Sequence, residues 1–277
     1  VLLFILFMLP VFCCGLSLVA YLVVPPAPLD ILVLGLDARP GEGFVTRTDS
    51  IMLVGLQPSR MRVSLLSVPR DLFITVPGYG EQRINTVNVL GENDERGSGP
   101  TLLAQSFATS FGVQPDRYVR LNFQGFIDLI NAVGGVDINV ERTIVDYQYP
   151  TENYGTIEVR FEPGMQHMDG ERALQYARTR HSDDDYQRAN RQQQVLTALS
   201  LKLINPLNWP GALAVITTSM DTNLSPLDIA AHAPTILLNA GRFDRFVIDR
   251  DDITVSAAGN AIPNYDTLAP WLEERFD

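Results

Sequence analysis

Short apolar runs, closed by polar, proline- or glycine-marked junctions, alternate with stretches of helical period along most of this chain. Leu29 to Leu36 is the first such run and ends in Asp37-Ala38-Arg39-Pro40-Gly41, the pattern of a buried strand feeding a loop. Ser50 to Leu56, behind Thr46-Arg47-Thr48-Asp49, and Arg62 to Val68, ahead of Pro69-Arg70-Asp71, predict two more strands, and Leu72 to Val76 a further one. Gly91 to Pro100 is polar and glycine-rich and reads as a loop, after which Thr101 to Phe111 has a helical period. Tyr118 to Phe123 predicts a strand, Phe126 to Val133 a helix closed by Gly134-Gly135, and Val136 to Val140 a strand again. Strands and helices therefore alternate, as in a layered α/β domain with charged residues gathered at strand ends.

The second half is less regular. Arg142 to Arg160 has no clear period and reads as a long surface excursion with room for a hairpin at its edge. A turn at Pro163-Gly164 and a helix starting near Asp169 lead into the arginine-rich stretch Tyr176 to Gln194. On an extended segment Arg178 and Arg180, two apart, point the same way, whereas Arg188, Gln192 and Val195 share one helix face with Arg191 close to it. Asp183, Asp184 and Asp185 suit the cap and first turn of that helix, which continues through Val195, Leu196 and Leu199. Asn205-Pro206 breaks the pattern, Trp209 to Met220 predicts a helix, and Ser225-Pro226 opens another that runs to about Asn239. Phe243 to Asp249 and Thr254 to Ile262 read as late strands, and Tyr265 to Phe276 as a closing helix.

At the N-terminal side the pattern changes character. Val1 to Val24 carries no charged residue and, at ~1.5 Å per helical residue, is long enough to cross a hydrocarbon core of roughly 30 Å. We expect a transmembrane anchor at 1–24, a stiff proline-rich spacer at 25–28 and one domain at 29–277. A cleaved signal peptide has a shorter apolar core and a small-residue cleavage site. The chain begins with Val and has no basic leader, so it is expected to start inside a longer protein, and orientation is not readable from flanking charge. Both cysteines, Cys13 and Cys14, lie in the apolar segment, which excludes disulfides and thiolate metal sites from the rest.

The net charge of −11 excludes a broad basic surface for nucleic acid, so an anionic ligand must be met by a local cluster. The arginines of 178–191 form one. Guanidinium groups near a helix start suit a phosphate or pyrophosphate; the same residues also suit a solvated helix face paired to the aspartates. No Gly-x-x-x-x-Gly-Lys loop, Gly-x-Ser-x-Gly elbow or His-Glu-x-x-His occurs, which argues against an NTPase, an α/β-hydrolase and a zinc protease. The three histidines, His167, His181 and His232, have no metal-ligand spacing. If the first two strands pair, the carboxylates of Asp37 and Asp49 meet at one sheet edge beside Arg39, Arg47 and Arg70, and suit Mg²⁺ or Mn²⁺.

Gly35-Leu36-Asp37-Ala38-Arg39, Arg47-Thr48-Asp49, Ser67-Val68-Pro69-Arg70-Asp71, Gly134-Gly135-Val136, Asp169-Gly170 with Ala173-Leu174, Arg178-Thr179-Arg180 and Arg188-Ala189-Asn190-Arg191-Gln192 follow one another in an order that resembles the LytR-CpsA-Psr family. The resemblance covers essentially all of the chain after the spacer. It departs mildly at Thr48, where serine is common, and at Gln187, where the family usually has glycine. It implies a three-layer α/β/α domain with a central mixed β-sheet, anchored in the cell membrane with its catalytic domain on the extracytoplasmic side. The implied activity moves a glycopolymer with its linking phosphate from a polyprenyl-pyrophosphate carrier to a peptidoglycan hydroxyl, with no nucleic-acid partner. It further implies that Asp37 and Asp49 hold the divalent metal, and that Arg70, Arg178, Arg180, Arg188 and Gln192 hold the head group. Arg39, Arg47 and Arg191 are added as pyrophosphate candidates, and Asp71 or Asp185 as a proton acceptor or an arginine-orienting carboxylate. An apolar tunnel for the polyprenyl tail is also implied, with Leu121, Phe123, Phe126, Ile130, Val195 and Leu199 as candidates that equally suit a core. A pyrophosphatase acting on the same lipid and a membrane-tethered, non-catalytic regulator are the rival readings.

Overall fold

The computed structural model describes residues 19–38, 43–151, 155–179 and 185–276. Its strands and helices run β1 (Leu29–Leu36), β2 (Thr48–Gln57), β3 (Arg62–Ser67), β4 (Phe73–Val76), β5 (Gly80–Arg83), α1 (Ile84–Asp94), α2 (Gly99–Phe111), β6 (Arg117–Leu121), α3 (Phe123–Ala132) and β7 (Val136–Val140). They continue with β8 (Ile144–Pro150), β9 (Thr156–Phe161), β10 (Gly164–Met168), α4 (Gly170–Arg178), α5 (Asp185–Lys202), α6 (Trp209–Ser219) and β11 (Asp221–Thr222). The last are α7 (Pro226–Leu238), β12 (Asp244–Val247), β13 (Ile253–Val255), β14 (Ala261–Pro263) and α8 (Tyr265–Arg275).

The central sheet has six strands in the order β11-β6-β1-β2-β3-β12. β1, β2 and β3 form an antiparallel meander, and β6 and β12 join it in parallel, so the sheet is mixed as expected. Alternation along β1 assigns its two faces. Leu32 and Leu34 pack with Val87 of α1, Leu103 and Phe107 of α2 and Leu268 of α8. Ile31 and Val33 face the other way, in a cluster that takes in Leu196 of α5 and Ile236 of α7. Helices thus cover both faces, which is why the central strands read as almost unbroken apolar runs. A further core lies between α3, α4, α5 and the β7–β10 and β8–β9 pairs; Ile130, Val195 and Leu199 belong to it and Phe126 packs against it.

Four expectations need correction. The glycine-rich segment from Gly91 is not all loop, because α1 runs through Asp94. A Cβ on Gly91 would stand 2.7 Å from the Gly99 Cα, so glycine there permits close approach of α1 and α2. Residues 142–160 are not a mere surface excursion: Ile144, Tyr149, Val159 and Phe161 of the β8–β9 hairpin are buried. The single strand expected at Thr254 to Ile262 is a hairpin, β13 and β14, with Gly259 at φ 82° in its turn. Arg178 is not on an extended segment but is the last residue of α4.

Most of the expected membrane helix falls outside the described residues; its end, 19–23, is helical. Among the described residues no helix is long and apolar enough to cross a membrane.

Candidate functional site

The β1–β2 ladder pairs Gly35 with Ser50 but Leu36 with Thr48, leaving Asp49 as the extra residue of a bulge. A bulge re-aims a side chain at a sheet edge. At the same edge the Asp37 amide donates to the Arg47 carbonyl at 3.2 Å, and Thr46 Oγ1 donates to the Asp37 carbonyl at 3.3 Å. Asp37 and Asp49 are thereby held at one end of two neighbouring strands. β3 ends beside them, and Arg70, three residues on, donates from Nη1 to Asp49 Oδ1 at 2.7 Å. Asp71 sits between two guanidinium groups, 3.6 Å from Arg70 Nε and 3.5 Å from Arg83 Nη1. Asp37, Arg47, Asp49, Arg70, Asp71, Arg83 and Asn85 line one cleft of about 500 Å³.

α4 delivers Arg178 to this edge. Asp169 caps the helix by accepting from the Arg172 amide at 2.8 Å, and nine residues later Arg178 Nη2 stands 3.6 Å from Asp37 Oδ1. The Arg178 guanidinium lies 3.8 Å over the Phe123 ring and donates to the Tyr149 hydroxyl at 3.4 Å. Burial pushes the Tyr149 phenol up, against the opposing effect of the Arg178 charge. Phe123 is therefore a platform under a cation, a contact worth about 0.5–2 kcal/mol according to its exposure.

α5 supplies the other wall. Arg188, only 7% exposed, lines a narrow recess with Gln192, Asp49, Ser50, Arg70 and Tyr186. Gln192 Oε1 accepts from Ser50 Oγ at 2.8 Å, which ties the helix to the strand beside the bulge. Arg191 has a different place from the one expected. It is buried, donates from Nε to the Tyr176 carbonyl at 2.9 Å and from Nη2 to the Thr179 carbonyl, and lines neither the cleft nor the recess. Its guanidinium braces the C-terminal end of α4, where free carbonyls gather. Arg39, Arg180, Asp183 and Asp184 lie outside the described residues, and Asp185 is placed only as the first residue of α5.

The residues that line this edge therefore come from six separate stretches of the chain, around 37, 47–50, 70–71, 83–85, 178 and 186–192. The LytR_cpsA_psr family model matches residues 24–265 of it. The chain belongs to the LytR_cpsA_psr family. Relatives include Regulatory protein MsrR of Staphylococcus aureus, 33% identical over 202 residues, covering 71% of this chain and 56% of MsrR. Another is the polyisoprenyl-teichoic acid–peptidoglycan teichoic acid transferase TagU of Oceanobacillus iheyensis, 34% identical over 172 residues, 61% of this chain and 50% of TagU. This LytR_cpsA_psr chain spans about half the length of the curated relatives it matches. Among solved structures, B. subtilis TagV shares 25% identity at a TM-score of 0.71, over 91% of this chain and 98% of TagV. TagT bound to LIIa-WTA shares 25% identity at a TM-score of 0.70, over 89% of each chain.

Sequence reasoning did not single out Ser50, Arg83, Asn85 or Tyr186, which line the cleft and the recess. Arg83 and Asn85 flank the start of α1, and a polar pair opening that helix was the signal available for them.

Proposed function

We propose that the cleft is the active site of a phosphotransferase that moves a glycopolymer, with its linking phosphate, from a polyprenyl-pyrophosphate carrier to a peptidoglycan hydroxyl. The observation that carries this reading is the shared cleft, where Asp37, Asp49, Arg47 and Arg70 face one space and Arg178 reaches Asp37. The relatives named as teichoic acid transferases support it.

The donor set fits a divalent ion of the Mg²⁺ or Mn²⁺ kind. Among the described residues no three His, Cys, Asp or Glu side chains cluster as a closed cage. Mg²⁺ is ordinarily held by one or two carboxylates and completes its shell with water and substrate phosphates. Asp37 and Asp49 would hold it, and the ion would neutralise charge on the diphosphate. Each carboxylate is matched by a guanidinium, Asp49 by Arg70 and Asp37 by Arg178. A cation taken by the acids leaves those arginines to face phosphate oxygens, so the same groups serve both charges.

Phosphoryl transfer needs positioned positive charge more than covalent help. The acceptor hydroxyl oxygen bonds to the glycan-linked phosphorus, the bond to the bridging oxygen breaks, and polyprenyl phosphate leaves with that electron pair and takes up the hydroxyl proton. Arg70 and Arg178, with Arg188 and Gln192 on the adjoining wall, would hold the diphosphate through the transition state. Asp71, set between Arg70 and Arg83, orients those two guanidinium groups. The reading puts the domain outside the cell membrane, held there by the apolar segment 1–24.

The test is transfer by the full chain, given lipid-linked donor, peptidoglycan acceptor and Mg²⁺. Asp49→Ala is expected to lower the rate by roughly 10²–10³, the scale for losing an electrostatic stabiliser. Undiminished transfer by that variant refutes the assignment, and release of free glycan phosphate with no acceptor consumed identifies hydrolysis instead.

A further inference from the structure

Asn85 is 6% exposed and stands on the wall of the cleft that carries Asp37, Asp49 and Arg70. Its backbone is tied on both sides of Asp49. The Asn85 amide donates to the Arg70 carbonyl at 3.3 Å, and its carbonyl accepts from Thr48 Oγ1 at 3.5 Å. Thr48 precedes Asp49 in the chain, and Arg70 holds the Asp49 carboxylate at 2.7 Å. The side chain behaves otherwise: Oδ1 is enclosed and has no hydrogen-bond partner. It does not cap α1, whose start has no side-chain cap bond. An enclosed amide oxygen without a donor costs stability, and on the wall of a polar cleft a bound ion or water is what completes such a group.

The kind of ligand follows from the atom. A carbonyl oxygen only accepts, so a fully ionised diphosphate, which also only accepts, does not satisfy it. A hard divalent cation does, and asparagine carbonyls are ordinary ligands of such ions. We propose that Asn85 Oδ1 is a third protein oxygen for the divalent cation of this cleft, beside Asp37 and Asp49, reached by a rotation of the amide. The inference rests on reading the cleft as a metal–diphosphate site and adds a residue to it. It also accounts for an asparagine at a buried position where a small apolar side chain would pack at no polar cost.

The experiment is Mn²⁺ binding to the full chain in detergent with inorganic pyrophosphate present, followed by electron paramagnetic resonance, together with thermal unfolding in the absence of metal. Asn85→Ala is expected to weaken Mn²⁺ binding about 10-fold or more, the scale found for groups that tune a metal site. Its metal-free Tm is expected to equal or exceed that of the unsubstituted chain. Asn85→Asp, which keeps an oxygen there, is expected to retain binding. Unchanged Mn²⁺ affinity in Asn85→Ala overturns the proposal. So does a metal-free Tm that falls in Asn85→Ala while Asn85→Asp fails to retain binding, because that pattern belongs to a structural amide. Asp49→Ala separates the two readings: if it loses Mn²⁺ while Asn85→Ala keeps it, only the role of Asn85 fails. If the unsubstituted chain binds no Mn²⁺, the cleft reading fails with it.

Discussion

Replacing Arg120 by methionine is expected to destabilise the protein by about 3 kcal/mol, although the residue lies on none of the walls of the cleft. Arg120, in β6, is 2% exposed. Its Nη1 donates to Glu92 Oε1 at 2.6 Å and to Asn88 Oδ1 at 2.9 Å, and its Nε donates to Asp221 Oδ2 at 2.9 Å. The guanidinium also lies 4.5 Å over the Phe44 ring. Glu92, with 4% of its side chain exposed, accepts from the Gly97 and Gly99 amides at 3.0 and 3.3 Å. Methionine keeps most of the volume and removes the charge, so Glu92 is left enclosed and ionised with two amides for company. Breaking a buried pair from one side costs roughly 3–5 kcal/mol, and the two remaining amides place this case at the lower end. At ~2–4 °C per kcal/mol for a chain of this size, the Tm should fall by roughly 6–12 °C.

The pH dependence separates charge from packing. Burial pushes the Glu92 carboxyl up, but the Gly97 amide, the Arg120 guanidinium and the Gly99 amide together hold it below the usual carboxylate range. A carboxyl whose folded pKa is depressed contributes stability that is complete above its unfolded value, ~4.3, and is lost as pH falls through the lower folded value. Without Arg120 the burial effect gains weight, the carboxyl protonates at higher pH, and the deficit of Arg120→Met should shrink between pH 7 and pH 5. Urea denaturation at both pH values measures this, with Arg120→Met/Glu92→Gln as the control that removes the stranded charge. A deficit under about 0.5 kcal/mol, or one equal at both pH values and unrelieved by the double substitution, refutes the reasoning. Transfer should also decline, because Asn88, which accepts from Arg120, donates to the Phe44 and Thr46 carbonyls at 2.9 and 2.8 Å, next to Arg47.

Gly91→Ala should lose about 1–3 kcal/mol in chemical denaturation, since its Cβ would stand 2.7 Å from Gly99 Cα and 2.9 Å from the Ser98 carbonyl oxygen; an unchanged midpoint would show that α1 and α2 separate freely. That loss exceeds the gain of ~1 kcal/mol from replacing glycine inside a helix. The Asp228 carboxyl is held down to about 2 by the Arg117 guanidinium and by the Ser225 amide and hydroxyl of the α7 capping box. Its contribution is complete above ~3.9 and fades as pH falls toward 2, so Asp228→Asn should flatten the acid limb of a stability-against-pH curve between those values, and an identical limb would exclude the carboxylate as its source.

The first three strands, though not their antiparallel order, were legible because strands covered on both faces must be apolar almost throughout, and Leu29 to Leu36 has no competing period. α1 was not. Its sequence, Ile-Asn-Thr-Val-Asn-Val-Leu-Gly-Glu-Asn-Asp, buries Asn85, Asn88, Gly91 and Glu92 along with Ile84 and Val87, so its inward face is half polar. Two of these polar side chains are inside because they bond there: Asn88 to the 44–46 backbone and Arg120, Glu92 to Arg120 and the 97–99 turn. Hydrophobic periodicity cannot register a helix whose buried face is a hydrogen-bonding one. The hairpin at 142–160 was allowed for, but the burial of β8–β9 escaped for a related reason, since its buried positions, Ile144, Asp146, Tyr149, Val159 and Phe161, straddle an irregularity between Asp146 and Tyr149 that breaks the alternation.

At the site the same distinction decides which residues could be found. Asp37 and Asp49 stood out because an acid at the end of a buried strand is conspicuous, and their meeting at one edge needed only that β1 pair with β2. The bulge that makes Asp49 an extra residue depends on how the strands slip between Gly35 and Leu36, which no pattern in either strand announces. Arg191 illustrates the opposite failure. Three residues beyond Arg188 and four before Val195, it has the spacing of a neighbour on the same helix face. Its guanidinium nevertheless ends on the Tyr176 and Thr179 carbonyls, because α4 stops at Arg178 and presents them there. Where α4 stops is itself what brings Arg178 to Asp37, so the Arg191 brace and the Arg178–Asp37 contact have one cause. A helical wheel drawn on α5 holds none of that information, since the deciding partner lies on another helix.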